Sequence, residues 1–397
     1  MTGTSRPLDG IRILDFSRVL AGPLSTALLA DLGAEVIKVE PPTGDDYRVI
    51  GPMKNGISSL FTALNRNKKS LTLDLKHPQA AQTIAALAQQ VDVVVENFRP
   101  GVMNRLGLGY ESLLQENPKL IYCAISGFGQ DGPLRDLPAY DQIIQGMSGV
   151  MSITGAPENA PYRVGYPMAD TIGGITAAFA VAAALADRNR TSGTFIDVSM
   201  LEAVMATMGW AVSNHLIAGR EPKPMGNENV TASPSGAFQT QDGLLNIAAN
   251  KQEQFEAVCH VVGLPQLIAD ERFHERQSRL QNRAELKALL EEAMSTKTTE
   301  EWWKLFNRAG VPAGPVYSVP QALDHPQVAT RGMVGTFENA PGVGRDIRLV
   351  RTGFKVNGET PRVYTPPPAL GQHADEILAD LGYSAEEIDA LREEKAV

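Results

Sequence analysis

The first third of the chain alternates short apolar runs with helical patterns, and that alternation constrains the fold more than any other feature. Residues 11–16, 35–39, 70–74, 91–96 and 120–126 read as strands. Between them, residues 24–31 (closed by Gly33) and 78–90 read as helices. Strands separated by helices predict βαβ units, hence a doubly wound, Rossmann-like α/β domain around a parallel sheet. In such sheets ligands bind beyond the carboxyl ends of the strands. The segments to inspect are therefore 17–23, 40–46, 75–76, 97–99 and 127–132.

Further along, a small-residue helix begins near Asp170, followed by a strand at 194–198 and a helix at 201–218. Residues 219–236 are rich in Gly, Pro, Glu and Asn and read as a linker. Beyond them the texture changes to a short strand at 244–249 and charged amphipathic helices at 252–262, 283–295 and 299–309. The expected organisation is a large α/β domain over 1–218, the linker 219–236, and a small α+β domain over 237–319. A return linker over 320–344 then leads to a segment, 345–397, that completes the large domain. That last part carries a strand-like pair (333–337 and 347–356) and a helix at 374–393.

Composition narrows the function classes. The chain has 397 residues, formal charge −9 and an isoelectric point near 5.3. An acidic chain of this kind argues against nucleic-acid binding, which leaves a basic footprint. The two cysteines, Cys123 and Cys259, cannot make a disulfide framework or a four-cysteine zinc site, and a reducing cytoplasm is the expected location. Residues 1–9 are polar, unlike a secretory signal. The most apolar run, 175–186, is short and Ala-rich and reads as a buried helix, so no membrane partner is expected.

A Gly-x-Gly-x-x-Gly pattern stands at Gly127-Phe-Gly129-Gln-Asp-Gly132, directly after a strand. A dinucleotide fingerprint must open a helix and be followed by an acid about 20 positions on. Here Pro133 follows at once and no acid stands near the required place, so neither nicotinamide nor flavin is expected. The six histidines are scattered without metal-ligand spacing, so no metal is expected either.

Asp170 is the lone acid in Val164-Gly-Tyr-Pro-Met-Ala-Asp170-Thr-Ile-Gly173-Gly174. One reading makes it a helix N-cap, where a carboxylate accepts free backbone N–H groups. The other makes it a nucleophile, kept ionised by the helix dipole, with glycines beside it that let a substrate approach. The two are compatible. Lys38, Arg66, Lys68, Lys69, Lys76, Arg99 and Arg105 also gather after the early strands, and most of them read as a solvated face. Arg99 and Arg105 differ, because they follow the strand-end pair Asn97-Phe98, and an Arg there suits a phosphate.

Several blocks together resemble the class III CoA-transferases, the CaiB–BaiF family. They are Pro7-Leu-Asp-Gly-Ile-Arg-Ile-Leu-Asp-Phe-Ser-Arg-Val-Leu-Ala-Gly-Pro23, Leu32-Gly-Ala-Glu-Val-Ile-Lys-Val-Glu40 and Asn65-Arg-Asn-Lys-Lys-Ser70. Glu96-Asn-Phe-Arg-Pro-Gly101, Gly127-Phe-Gly-Gln-Asp-Gly-Pro133, Gly193-Thr-Phe-Ile-Asp197 and Leu370-Gly-Gln-His373 continue the series in order. The resemblance implies an interlocked homodimer. It also implies CoA transfer from an acyl-CoA donor to a carboxylic acid acceptor, with a small dicarboxylate the expected acceptor, through a covalent aspartyl intermediate.

By that resemblance Asp170 is the nucleophile, with Tyr140 and Asp141 as auxiliary groups near the reacting thioester. For Asp141, a plain helix cap before residues 142–150 is the competing reading. The implied CoA contacts are Val19, Leu20, Ala21, Leu73, Lys76, Asn97, Phe98, Arg99, Arg105, Leu137 and Tyr140. Two departures bear on substrate. Formyl-CoA transferase has Gln where Leu20 stands, and a poly-Gly loop where this chain has Gly226-Asn-Glu-Asn-Val-Thr-Ala-Ser-Pro234, which argues against formate or oxalate. The rival within the family, an α-methylacyl-CoA racemase, uses a His in a Gly-His-Asp segment. Here Ala139-Tyr140-Asp141 occupies that place, and tyrosine titrates too high to replace histidine at neutral pH. A non-catalytic CoA-binding protein is the alternative of another class.

Overall fold

The computed structural model describes residues 6–54, 56–340, 345–361 and 363–397. Six strands form the central sheet: β1 (Arg12–Asp15), β2 (Glu35–Glu40), β3 (Lys68–Thr72), β4 (Val93–Glu96), β5 (Ile121–Ser126) and β6 (Thr194–Ser199). Every neighbouring pair is parallel, and the spatial order is β3-β2-β1-β4-β5-β6. The chain builds outward from β1 to β3, then returns to place β4 against the other side of β1. That reversal makes the carboxyl ends of β1 and β4 a switch point, where the flanking loops part and leave a crevice.

Both faces of the sheet are covered, so its central strands bury residues on both sides rather than on one. Successive residues still point to opposite faces. Leu14, Ile37, Val94 and Tyr122 face a layer that includes helix Ala80–Ala88 and the C-terminal helices Ala374–Asp380 and Ala385–Glu393. Ile13, Val36, Val95 and Cys123 face the layer formed by α1 (Ala21–Asp31), α3 (Met168–Ala186) and helix Met200–Thr207. Between β5 and α3 lies α2 (Asp141–Met147).

The chain divides into two compact units. The first comprises Met1–Val150, Arg163–Gly219 and Gln327–Val397, and the second Met151–Tyr162 with Arg220–Pro326. Residues 151–162, read from sequence with the large domain, thus pack with the second unit. That unit has a three-stranded antiparallel sheet (Ser235–Gln239, Leu244–Ala248, Ala313–Pro315) with Leu244–Ala248 in the middle. Helices Gln252–Val262, Arg283–Met294 and Thr299–Arg308 bury Phe255, Leu290, Trp302 and Phe306 against it.

Several boundaries differ from the sequence expectation for identifiable reasons. The third strand starts at Lys68, not Ser70, because Lys68 is fully buried and paired with Asp15 rather than solvated. The helix expected over 201–218 breaks into Met200–Thr207 and Trp210–Ala218 at Gly209, whose φ is +50°. The helix expected over 374–393 breaks in the same way at Gly382, with φ +93°. A glycine in the left-handed region ends a helix where periodicity alone would carry it on. Residues 320–344 are not a bare linker. They include helices Val319–Leu323 and Pro326–Thr330 and most of strand Val334–Ala340, while 341–344 lie outside the described residues.

Helix α3 is 19 residues long and apolar enough by length and composition to cross a membrane, longer than the run read from sequence. Its small residues instead serve packing inside the first unit. A Cβ on Gly174 would lie 2.6 Å from the Ala21 carbonyl oxygen on α1, and one on Gly173 would lie 2.9 Å from Met200 Cγ. The two glycines therefore set how closely α3 meets its neighbours; they do not hold the backbone open for a ligand. Gly174→Ala should lower stability by about 1–3 kcal/mol through overpacking, checked by denaturant unfolding.

Candidate active site

The loop after β1 is held from below by two buried ion pairs. Asp15, the last residue of the strand, pairs with Lys68 at 2.9 Å and accepts hydrogen bonds from Ser17 N–H (2.9 Å) and the Thr26 hydroxyl (2.6 Å). Lys38 donates to the Ser17 carbonyl at 2.7 Å and pairs with Asp45 at 2.8 Å. Burial opposes the negative charge on Asp15 and on Asp45. The nearby ammonium groups outweigh it, and both carboxyls sit below the usual carboxylate range. Lys68 also donates to the Pro23 carbonyl at 3.0 Å, so the loop from Ser17 to Pro23 is gripped at both ends.

From the side, Asn97 completes the grip. Arg18 N–H donates to Asn97 Oδ1 and Asn97 Nδ2 donates to the Arg18 carbonyl, each at 2.8 Å. Both ends of that amide are thus spent on loop geometry. Between these restraints Val19 is held at φ +69°, a left-handed conformation that a β-branched residue rarely adopts. On the β4 side, burial pushes Glu96 up to about 8, and its carboxyl accepts the Phe98 N–H at 2.7 Å.

The loops enclose a cleft of about 1100 Å³, counted with the solvent at its mouth. Its walls bring together Val19, Leu20, Ala21, Asn97, Phe98, Arg99, Leu137, Tyr140 and Asp170 from the residues singled out in the sequence. Leu73 is instead packed in the core, while Lys76 and Arg105 are exposed and stand outside these walls. Sequence reasoning did not single out Arg18, Asp46, Arg135 and Met200, which also line the cleft. The strand-end rule reached Arg18 and Asp46 as positions, but nothing in the sequence ranked them. The Gly127–Gly132 loop opens no helix; the next one is α2. Among the described residues no cluster of three His, Cys, Asp or Glu could hold a metal.

Asp170 lies in the first turn of α3, but it is not the cap. Pro167 holds that position and makes no side-chain cap bond. The free amides of α3 are met by Asp141, whose Oδ1 accepts Ala169 N–H at 2.7 Å and Asp170 N–H at 3.4 Å. Asp141 thus caps a neighbouring helix rather than its own. Buried Gln145 fixes it, donating to Asp141 Oδ2 at 2.8 Å while accepting Val164 N–H at 2.8 Å. Tyr140 is 73% exposed at the cleft rim. Tyr47, another residue the sequence did not flag, feels both acids: burial first, then Asp170, raises its phenol.

The expectation that the helix terminus keeps Asp170 fully ionised at neutral pH fails. Burial first, and the charge of Asp141 second, push its carboxyl up to about 7. The sign for stability follows. A carboxyl with a raised folded pKa carries no penalty when protonated in both states, and the full penalty once the pH exceeds about 7. Asp170→Asn should therefore stabilise the fold at pH 8, by roughly 2 kcal/mol after discounting for residual solvent contact. The gain should fade toward pH 4, as read by thermal melts across that range.

Residues 8–374 match the profile described as CoA-transferase family III. The chain is 41% identical over 379 residues to succinyl-CoA:glutarate CoA-transferase of Mus musculus, covering 95% of this chain and 86% of that protein. It is 43% identical over 331 residues to acetyl-CoA:oxalate CoA-transferase of Acetobacter aceti, covering 83% and 85% of the two. A crystal structure of a CaiB/BaiF family protein from Brucella suis superposes with a TM-score of 0.85 at 36% identity, covering 95% of this chain and all of that one. The strand-end cleft therefore belongs to an enzyme that transfers CoA from a CoA thioester, and the chain is a member of CoA-transferase family III, the CaiB/BaiF family.

Proposed function

We propose that Asp170 is the nucleophile of a CoA transfer between an acyl-CoA and a small dicarboxylic acid. The observation that carries this reading is the placement of Asp170 inside the switch-point cleft, facing the same space as Phe98 and Arg99. The ionised carboxylate attacks the thioester carbonyl; a C–O bond forms, the C–S bond breaks, and the CoA thiolate leaves with the electron pair. The thiolate then adds to the aspartyl carbonyl of the mixed anhydride and releases the donor acid, leaving CoA as a thioester on Asp170. The acceptor carboxylate then attacks that carbonyl and expels the thiolate, forming a second mixed anhydride; the thiolate attacks the acceptor's acyl carbon, and the Asp170 carboxylate leaves, regenerated. Thioester is exchanged for thioester, so no ATP is consumed, and one difficult exchange becomes several easier ones.

The dicarboxylate acceptor is supported by the names of similar enzymes, which act on glutarate, oxalate, citramalate and mesaconate. The oxalate enzyme among them weakens the sequence argument against oxalate. For CoA, Phe98 offers an apolar face and Arg99 a planar fork for phosphate. Asp141 serves as a positioning group that caps the nucleophile's helix and raises its pKa. Exposed apolar side chains on Phe179, Trp210, Leu216 and Ile217 support a homodimer in which such surfaces are covered.

Asp170→Ala should abolish transfer while CoA still binds; retained turnover refutes the assignment. Hydroxylamine added during turnover should leave its mass label on Asp170 and nowhere else. Because the attacking form is the carboxylate, the rate should fall as pH drops through about 7. Asp141→Asn removes the like charge, so the midpoint of that acid limb should move to lower pH, measured from kcat/KM profiles.

A further inference from the structure

Three guanidinium groups line the cleft with Asp170: Arg18, Arg99 and Arg135. Arg99 is exposed, and Arg135 is exposed and faces Asp136 at 3.5 Å. Arg18 differs from both. Its side chain is 35% exposed, its main chain is clamped on both sides by Asn97, and the residue after it is the strained Val19. Arg18 thus projects into the cleft from a backbone tied down on both sides.

The donors of Arg18 are underused. One Nη2 hydrogen bond goes to Asp46 at 2.9 Å, and Asp46 is itself 53% exposed, so solvent weakens that pair. The Nε atom is buried and has no hydrogen-bond partner among the described residues. That buried atom is out of a ligand's reach, but Nη1 is not buried and makes no hydrogen bond among the described residues, so a second carboxylate drawn into the cleft can accept from the outer edge of the guanidinium. Among the described residues no ion pair joins Arg18 to Asp170, although both line the same cleft.

Resting on the CoA-transfer reading above, we infer that Arg18 recognises the remote carboxylate of a dicarboxylic acyl group while its reacting end lies at Asp170. An anion at Arg18 could instead be a phosphate of CoA, and the experiment separates the two sources. Titration calorimetry of the full chain compares glutaryl-CoA with butyryl-CoA, which share CoA and differ in the terminal carboxylate.

The wild type should prefer glutaryl-CoA by roughly 10- to 100-fold, the range for a hydrogen bond to a charged partner. Arg18→Gln should bring that ratio near parity. Arg18→Lys, which keeps the charge and guards against a variant that does not fold, should retain only part of it, because an ammonium lacks the planar fork. The inference is overturned if the wild type binds both esters alike, or if both variants keep the full preference. It is also overturned if Arg18→Gln weakens both esters equally, which assigns Arg18 to the CoA phosphates. Binding needs no turnover, so a chain that shows the preference yet transfers no CoA would sink the transferase reading and leave this one standing.

Discussion

The cleft depends on two lysine–aspartate pairs buried under the loop that follows β1. Lys38 and Lys68 have no exposed side-chain surface, and each meets both a carboxylate and a carbonyl of the loop above it. Taking four charges out of water is expensive, and such a cluster is weak evidence for stability as such. Its value here is geometric. Removing one partner leaves an uncompensated buried charge, so the loop has one low-energy arrangement, with Val19 in a conformation its side chain resists.

A second polar network repeats that logic on the other wall. Gln145 fixes Asp141, Asp141 meets the open amides of α3, and α3 presents Asp170. The same carboxylate that steadies the helix also disfavours charge on Asp170. One side chain therefore couples the position of Asp170 to its basicity, so substitutions at Asp141 cannot be read as affecting only one of them.

The doubly wound sheet was legible because its strands are short, mostly apolar runs separated by helix-forming sequence. Its carboxyl ends then pointed to the cleft, and Val19, Leu20, Ala21, Asn97 and Phe98, from either side of the switch point, line its walls, while Leu73 and Lys76 do not. What sequence hides is charge taken inside. Lys68 looked like the edge of a solvated patch, yet it lies in the sheet with Asp15 as its counter-ion. The cap assignment failed for a related reason. Periodicity sees a helix and its own flanks, and cannot see that Asp141, 29 residues earlier, supplies the missing acceptor to Asp170. Glycine has the same ambiguity: Gly174 reads as openness and turns out to be contact.

The cleft's positive charge has a chemical character of its own. Its cationic walls are arginines, and no lysine is among the described residues that line it. The lysines nearby are sealed beneath the floor and tied to carboxylates. A thioester, and still more an anhydride, acylates any free amine within reach, whereas a guanidinium stays protonated and does not compete as a nucleophile. An enzyme that takes CoA thioesters as substrates thereby guides their anionic parts without offering a primary amine for self-modification.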